Sequence, residues 1–163
     1  LVRSRGLGDV YKRQDVFSRL DSIREKKQAA LHMNIPPDWE LYGDPFYWTQ
    51  VLFNLVENAL KQNTEPGLSV TVAAARTPEA CVITVTDTGV GIPAESLPFL
   101  FNRFYRVETH HSSEIKGTGL GLSIVKRAVE AHDGAITVSS TPHRETVFTI
   151  TIPLKRFREE KEA

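Results

Sequence analysis

Residues 43–63, GDPFYWTQVLFNLVENALKQN, constrain the fold more than any other stretch of the chain. Asp44 followed by Pro45 reads as a helix start. An aspartate side chain accepts from the first unpaired backbone N–H groups, and a proline at the first helical position gives up no hydrogen bond. Leu52, Leu55, Val56, Ala59 and Leu60 then recur at helical spacing, which predicts an amphipathic helix over Pro45–Gln62 with one apolar stripe. Such a helix must lay its stripe on something apolar, and the neighbouring segments supply it.

Those segments read as strands, broken by proline and glycine. Residues 29–35 form a strand stopped by Pro36 and Pro37, and 39–42 a second short one. After the break at Glu65, Pro66 and Gly67, residues 68–75 and 81–87 form a hairpin around 76–79. A short helix falls within 93–104. Residues 107–116 are polar and aperiodic and read as a long mobile loop. A second amphipathic helix covers 120–132, with Leu122, Ile124, Val125, Ala128 and Val129 as its core side, ended by Asp133 and Gly134. Strands over 135–139 and 147–152 complete the sheet. Near the start, Phe17, Leu20 and Ile23 give residues 17–27 the spacing of a short helix. Strands in pairs with separate helices predict an α/β (α+β) two-layer sandwich: a mixed β-sheet with helices packed on one face, not a doubly wound parallel sheet.

The 163 residues suit one domain, and a net charge of +0 gives no support to a nucleic-acid or membrane-surface role. Cys81 is the single cysteine, so neither an internal disulfide nor a cysteine-based zinc site is available; Val82 and Ile83 beside it predict a buried strand position. No apolar run approaches the roughly 20 residues that span a bilayer.

Four segments carry chemistry. In NLVENALKQN, residues 54–63, Asn54, Asn58 and Lys61 fall on one helix face opposite the apolar stripe. Asparagine is a mediocre helix former, so propensity does not explain two in mid-helix. A carboxamide oxygen suits Mg²⁺ that already carries phosphate charge, and Lys61 could reach a phosphate as a point charge. Taken alone, the segment is equally consistent with a solvated polar face. In DTGVGIP, Asp87 at a strand end could accept from the exocyclic amine of adenine, with Gly89 and Gly91 admitting a planar base; an ordinary Asp-Gly turn is the plain alternative. In FNRFYR, Phe101 and Phe104 would lie on one side of a helix and anchor it, leaving Arg103 and Arg106 near the following loop, where a guanidinium suits a transferring phosphoryl group. In KGTGLGL, Gly117, Gly119 and Gly121 with Thr118 and Leu120 open the second helix and aim its free N–H groups at an anion. The spacing is neither the P-loop nor the dinucleotide fingerprint.

In this order the four segments resemble the asparagine, first glycine, phenylalanine and second glycine boxes of sensor histidine kinases, over roughly residues 17–154. The resemblance implies the Bergerat ATP-binding fold, shared with DNA gyrase, the heat-shock chaperones related to it and the MutL repair proteins. It implies ATP and Mg²⁺ as cofactors. Asn58 would hold the Mg²⁺, Asn54 would lie beside the phosphates and Lys61 would support them. Asp87 would read the adenine amine, with Gly89 and Gly91 lining the base pocket. Gly117, Thr118, Gly119, Leu120 and Gly121 would form the phosphate-side hinge of an ATP lid over 107–116, and Arg106 would approach the γ-phosphate or help dock the acceptor domain. Relatives in the gyrase and chaperone branches typically carry a glutamate base where Asn54 stands. An amide cannot take the proton, so transfer to a nucleophile on another domain is the more natural chemistry. The departures are Gln62, where an aromatic or histidine is usual, and His143, Glu145 and Asp133, where glycines are common.

The implied activity is transfer of the ATP γ-phosphoryl to a histidine on a dimerisation domain, with a response regulator downstream and a cytoplasmic location for this piece, whatever anchors its parent. None of His32, His110, His111, His132 and His143 has the acidic and proline-bearing context of the acceptor, which the resemblance puts upstream. Residues 4–14, SRGLGDVYKRQ, match the translation of a common transposon-based sequencing adapter; a basic disordered arm is the alternative, and both exclude 1–14 from the fold. Residues 15–27 then read as the end of a dimerisation helix or linker, 28–155 as the ATP-binding domain and 156–163 as a charged tail. Two other functions fit the class: a nucleotide-binding regulatory module without transfer, and a stand-alone ATPase. Transfer to a supplied acceptor domain and rapid steady-state hydrolysis, respectively, discriminate them.

Overall fold

The computed structural model describes residues 14–37, 39, 43–63, 67–107 and 117–154, the side chains of 14–19 excepted. Among the described residues, three helices and five strands follow one another as α1 (Gln14–Lys26), β1 (Ala30–Asn34), α2 (Pro45–Gln62), β2 (Ser69–Arg76), β3 (Ala80–Asp87), a 3-10 turn (Ala94–Phe99), α3 (Gly121–Ala131), β4 (Ala135–Thr141) and β5 (Glu145–Pro153). The sheet runs β1-β2-β3-β5-β4, with β1 parallel to β2 and every other pair antiparallel. It is the mixed sheet that the strand pattern predicts. The expected strand over 39–42, Trp39 excepted, and the expected lid over 107–116, Val107 excepted, lie outside the described residues, as does the tail over 156–163.

Alternation builds the two layers. Val70, Val72, Ile83, Val85, Phe148 and Ile150 point to one face and are almost fully buried. Their neighbours Thr71, Thr84, Thr86 and Thr149 point to the other and are half-buried. In register, Thr71 stands opposite Thr86, and Thr84 opposite Thr149, which is itself opposite Thr137, so the uncovered face is a sheet of threonines. The helices cover the apolar face: α2 packs on β2 and β3, with α1 and α3 on either side of it.

Helix α2 starts and stops where its sequence predicts. Asp44 caps it, accepting from the Phe46 N–H at 2.8 Å, and Trp48, Val51, Leu52, Leu55, Val56, Ala59 and Leu60 are buried beneath it. Its start is locked to the far end of α3. The His132 ring lies 4.7 Å from that of Trp48, centroid to centroid, and its Nδ1 is 2.7 Å from the Ala128 carbonyl. A Cβ on Gly43, whose φ is +123°, would overlap both rings. On α3, Val125, Ala128 and Val129 are buried and Leu122 packs at the edge of the core, but Ile124 is exposed. It stands about 100° round the helix from Val125, outside the stripe that faces α2.

Two of the positions where glycine is common are left-handed here without glycine: Asp133 has φ +54° and His143 φ +58°. Aspartate tolerates that region; histidine does so at a cost. The His143 N–H donates to the Val90 carbonyl at 2.8 Å, so the β4–β5 turn is held in this conformation by its contact with the loop after β3. His143→Gly relieves the strain and is expected to raise stability by about 0.5–1 kcal/mol in urea titration; a loss of stability would show that the imidazole itself supports the turn.

Candidate functional site

Helix α2 carries a half-buried polar face of Asn54, Glu57, Asn58 and Lys61, with Leu55, Val56, Ala59 and Leu60 turned inward. Asn54 Nδ2 donates to the Gln50 carbonyl at 2.9 Å, so its amide nitrogen is spent on its own helix. Its Oδ1 faces the start of α3, where a Cβ on Gly121 would stand only 3.2 Å away. The carboxamide of Asn58 makes no hydrogen bond among the described residues. Lys61 Nζ lies 2.9 Å from Glu57 Oε1, so its charge is shared with a carboxylate on the same face.

The start of α3 is open in the way the glycines predict. Among the described residues its N-cap residue, Leu120, offers no side-chain cap, and Thr118 Oγ1 accepts from the Leu120 N–H, at 3.4 Å. The first turn of an 11-residue helix therefore presents free N–H groups beside Asn54, the setting in which a helix start receives an anion. Gly119 is left-handed at φ +68°, and its carbonyl accepts from the Phe104 N–H at 2.8 Å. A Cβ there would meet the Phe104 backbone at 2.7 Å. A Cβ on Gly117, which is exposed, would meet nothing within 4 Å among the described residues.

That contact overturns the expected helix over FNRFYR. Residues 101–104 form turns, and Phe104 is left-handed at φ +64°. Phe101 does anchor the segment, edge-on to Phe148 at 6.3 Å. Phe104 points outward instead, 68% exposed, with the Arg103 guanidinium 5.6 Å from its ring centre. The chain must bend here to pair with Gly119, so aromatics three apart do not share a face. Arg106, exposed, follows two residues later and is thereby tied to the glycine turn that opens α3.

Asp87 ends β3 and is nearly enclosed, at 6% exposure. Burial pushes its carboxyl above the usual carboxylate range, while the Gly89 N–H and the Asn63 carboxamide pull it back. Both of these donors fall on one oxygen: Oδ1 accepts from Gly89 at 3.0 Å and from Asn63 Nδ2 at 3.2 Å. Asn63 escaped the sequence reading. It caps the C-terminus of α2, where it looked like the last residue of a polar face. It is 3% exposed; its Nδ2 also donates to the Ala59 carbonyl at 2.6 Å, and its Oδ1 accepts from the Val90 N–H at 2.6 Å. From the other side, the Lys27 ammonium at the end of α1 donates to the Asn63 and Lys61 carbonyls.

The glycines after Asp87 answer to these contacts. A Cβ on Gly89 would overlap the Asn63 carboxamide, and one on Gly91 would meet the Thr141 carbonyl oxygen and Pro142 Cα at 2.5 and 2.7 Å. Clearance for a base is thus not what the structure itself demands of them. The loop is also pinned to the β4–β5 hairpin: Ile92 N–H donates to Ser140 Oγ at 2.8 Å, and Ser140 Oγ is 3.0 Å from Thr146 Oγ1. Thr146 is 3% exposed and stands opposite Asp87 in the β3–β5 register, a second buried polar residue that local spacing gave no means of finding.

Helix α2 therefore touches both halves of the site. Asn54 abuts the open start of α3, and Asn63, nine residues on and about 13 Å along the axis, holds Asp87. Among the described residues no cluster of three His, Cys, Asp or Glu side chains could hold a metal, and no helix is long and apolar enough to cross a membrane. The geometry makes a folding prediction. Gly89→Ala should destabilise by about 1–3 kcal/mol through overlap with Asn63. In an Asn63→Ser background the same change should cost at least about 0.5 kcal/mol less, measured as a double-mutant cycle by chemical denaturation. Additive effects would contradict the contact.

Comparison with known proteins follows the same segments. The family of histidine kinase-, DNA gyrase B- and HSP90-like ATPases matches residues 43–156. The adaptive-response sensory kinase SasA of Synechococcus elongatus is 39% identical over 146 residues, which cover 88% of this chain and 37% of SasA. The sensor histidine kinase WalK of Bacillus subtilis is 39% identical over 138 residues, covering 83% of this chain and 23% of WalK. Among solved structures, the mycobacterial sensor histidine kinase MprB superimposes with a TM-score of 0.74 at 28% identity, over 93% of this chain and 96% of that one. The chain thus spans only about a quarter to a little over a third of the length of these curated relatives. The family match runs unbroken from the start of α2 to the end of β5, through every segment that builds this site, and the chain belongs to the histidine kinase-, DNA gyrase B- and HSP90-like ATPases, a family of ATP-binding domains.

Proposed function

We propose that this chain is the catalytic, ATP-binding part of a two-component sensor histidine kinase, and that it passes the γ-phosphoryl of ATP to a histidine on a separate dimerisation domain. The observation that carries the reading is the amide chemistry of α2. Asn54 bonds its own helix through Nδ2 and turns Oδ1 toward the start of α3. No side chain at that position can take a proton from water, which disfavours a hydrolytic ATPase and leaves the nucleophile to another domain.

The residues present suit Mg·ATP. Asn58 offers a half-buried carboxamide oxygen with no partner among the described residues, a hard neutral donor of the kind Mg²⁺ accepts alongside phosphate oxygens and water. The uncapped first turn of α3, with Gly119 and Gly121, would receive phosphate oxygens on backbone N–H groups. Lys61 would add positive charge, and Arg106 would approach the γ-phosphate or the acceptor domain. Asp87, at the far end of α2, would accept from the adenine amine. Asn58 would hold the Mg²⁺, which would supply charge neutralisation when bound; the chain's own work is positioning and dipole stabilisation. A response regulator would take the phosphoryl group from the histidine, a step that the likeness to sensor histidine kinases supports.

Two measurements test this. Asn58→Ala should abolish Mg²⁺-dependent ATP binding in calorimetry with and without chelator; unchanged affinity would remove Asn58 from the metal site. Mixed with a purified dimerisation domain and γ-labelled ATP, the wild-type chain should place label on a histidine in an acid-labile, base-stable bond. Binding without transfer would favour a regulatory module, and rapid phosphate release without acceptor an ATPase.

A further inference from the structure

The Asp87 carboxylate is not symmetric. Among the described residues both of its hydrogen bonds converge on Oδ1, from the Gly89 N–H and from Asn63 Nδ2. Asn63 has no freedom to move away. It is buried against the end of α2, its Nδ2 is shared with the Ala59 carbonyl, its Oδ1 holds the Val90 N–H, and the overlap that a Cβ on Gly89 would suffer shows how tightly the carboxamide is lodged. Its amide orientation is fixed by these partners, since Nδ2 faces two oxygens and Oδ1 faces an N–H.

We infer that Asn63 is the positioning residue for base selectivity: by occupying Oδ1 it leaves Asp87 Oδ2 as an acceptor-only oxygen, suited to a purine that presents an exocyclic amine. This inference rests on the reading of Asp87 as the adenine-facing group and goes one step beyond it, to the residue that decides what Asp87 can recognise. The chemistry is a matter of proton count. An ionised carboxylate can only accept, so it pairs with the 6-amino group of adenine and repels a 6-oxo group. A protonated carboxyl can also donate, and would then tolerate hypoxanthine or guanine. Burial works toward the protonated form at this site, and the two N–H donors on Oδ1 work against it. Gly89 contributes backbone, which substitution cannot remove; Asn63 is the donor that sequence can change.

The test compares ATP with inosine triphosphate, which differs at position 6 of the purine, in the whole chain with Mg²⁺ by calorimetry. Asn63→Leu keeps the branched shape and removes the donor. It should lower the ATP:ITP affinity ratio about tenfold, in line with the loss of one hydrogen bond to a charged group. Asn63→Ser, too short to reach Asp87 and too small to press on Gly89, should lower it similarly and decides the matter if the leucine variant does not fold. Asp87→Asn should collapse the ratio outright. If the Asn63 variants fold and weaken both nucleotides equally while Asp87→Asn collapses the ratio, Asn63 is only structural and the inference fails alone. If Asp87→Asn also leaves the ratio unchanged, the assignment of Asp87 to the base falls and takes the inference with it.

Discussion

The contact between Asn63 and Asp87 joins the two layers where they must meet for a nucleotide site to exist. Asp87 is the last residue of a central strand, and Asn63 is the first residue beyond the longest helix. One carboxamide ties the strand end, the loop after it and the helix C-terminus, through bonds to Asp87, Val90 and Ala59. Lys27 extends the tie to α1 through the Asn63 carbonyl. Buried polar networks of this kind are costly if half-satisfied and specific when complete. Here the network fixes the height of the loop over the sheet, and with it the side of Asp87 left open to a ligand.

The other side of the same loop is fixed by the β4–β5 hairpin, through His143 and Ser140. The loop is thus clamped from both sides, and Gly89 and Gly91 are the residues whose side chains the clamp would exclude. A glycine pair that looks, in sequence, like clearance for a base is in the structure clearance for protein. Both can hold at once, since a backbone that packs this closely on one side can expose its peptide planes on the other.

What the sequence made legible was local. Asp44, Pro45 and a helical apolar stripe settle α2 to the residue, because capping and periodicity act within a few positions. The strands, the hairpin of β2 and β3 and a sheet with a covered and an uncovered face follow from alternation and turn residues, whereas the strand order does not. What stayed hidden depends on partners distant in the chain. Phe104 reads as a helical anchor until Gly119, fifteen residues on, bends its backbone outward. Ile124 reads as core until its position outside the stripe that faces α2 leaves it exposed. Asn63 and Thr146 carry no local signal: an asparagine after a helix and a threonine in a strand are ordinary, and only register and burial make them part of a site. The candidate ligand groups Asn54, Asn58, Asp87 and Gly121 were legible because their segments occur together and in this order, since each alone has a plain alternative in a solvated face or an ordinary turn.

The central claim is that α2 organises one nucleotide site, with its asparagine face toward the phosphates and its C-terminal asparagine setting the base-reading carboxylate. The most direct measurement is a crystal structure with Mg²⁺ and a non-hydrolysable ATP analogue. The account predicts the 6-amino nitrogen at about 3 Å from Asp87 Oδ2, with Oδ1 still held by Asn63 and Gly89 and the metal on Asn58. A base lodged away from Asp87, or an Asp87 turned so that Oδ1 leaves Asn63 to meet the base, would contradict it.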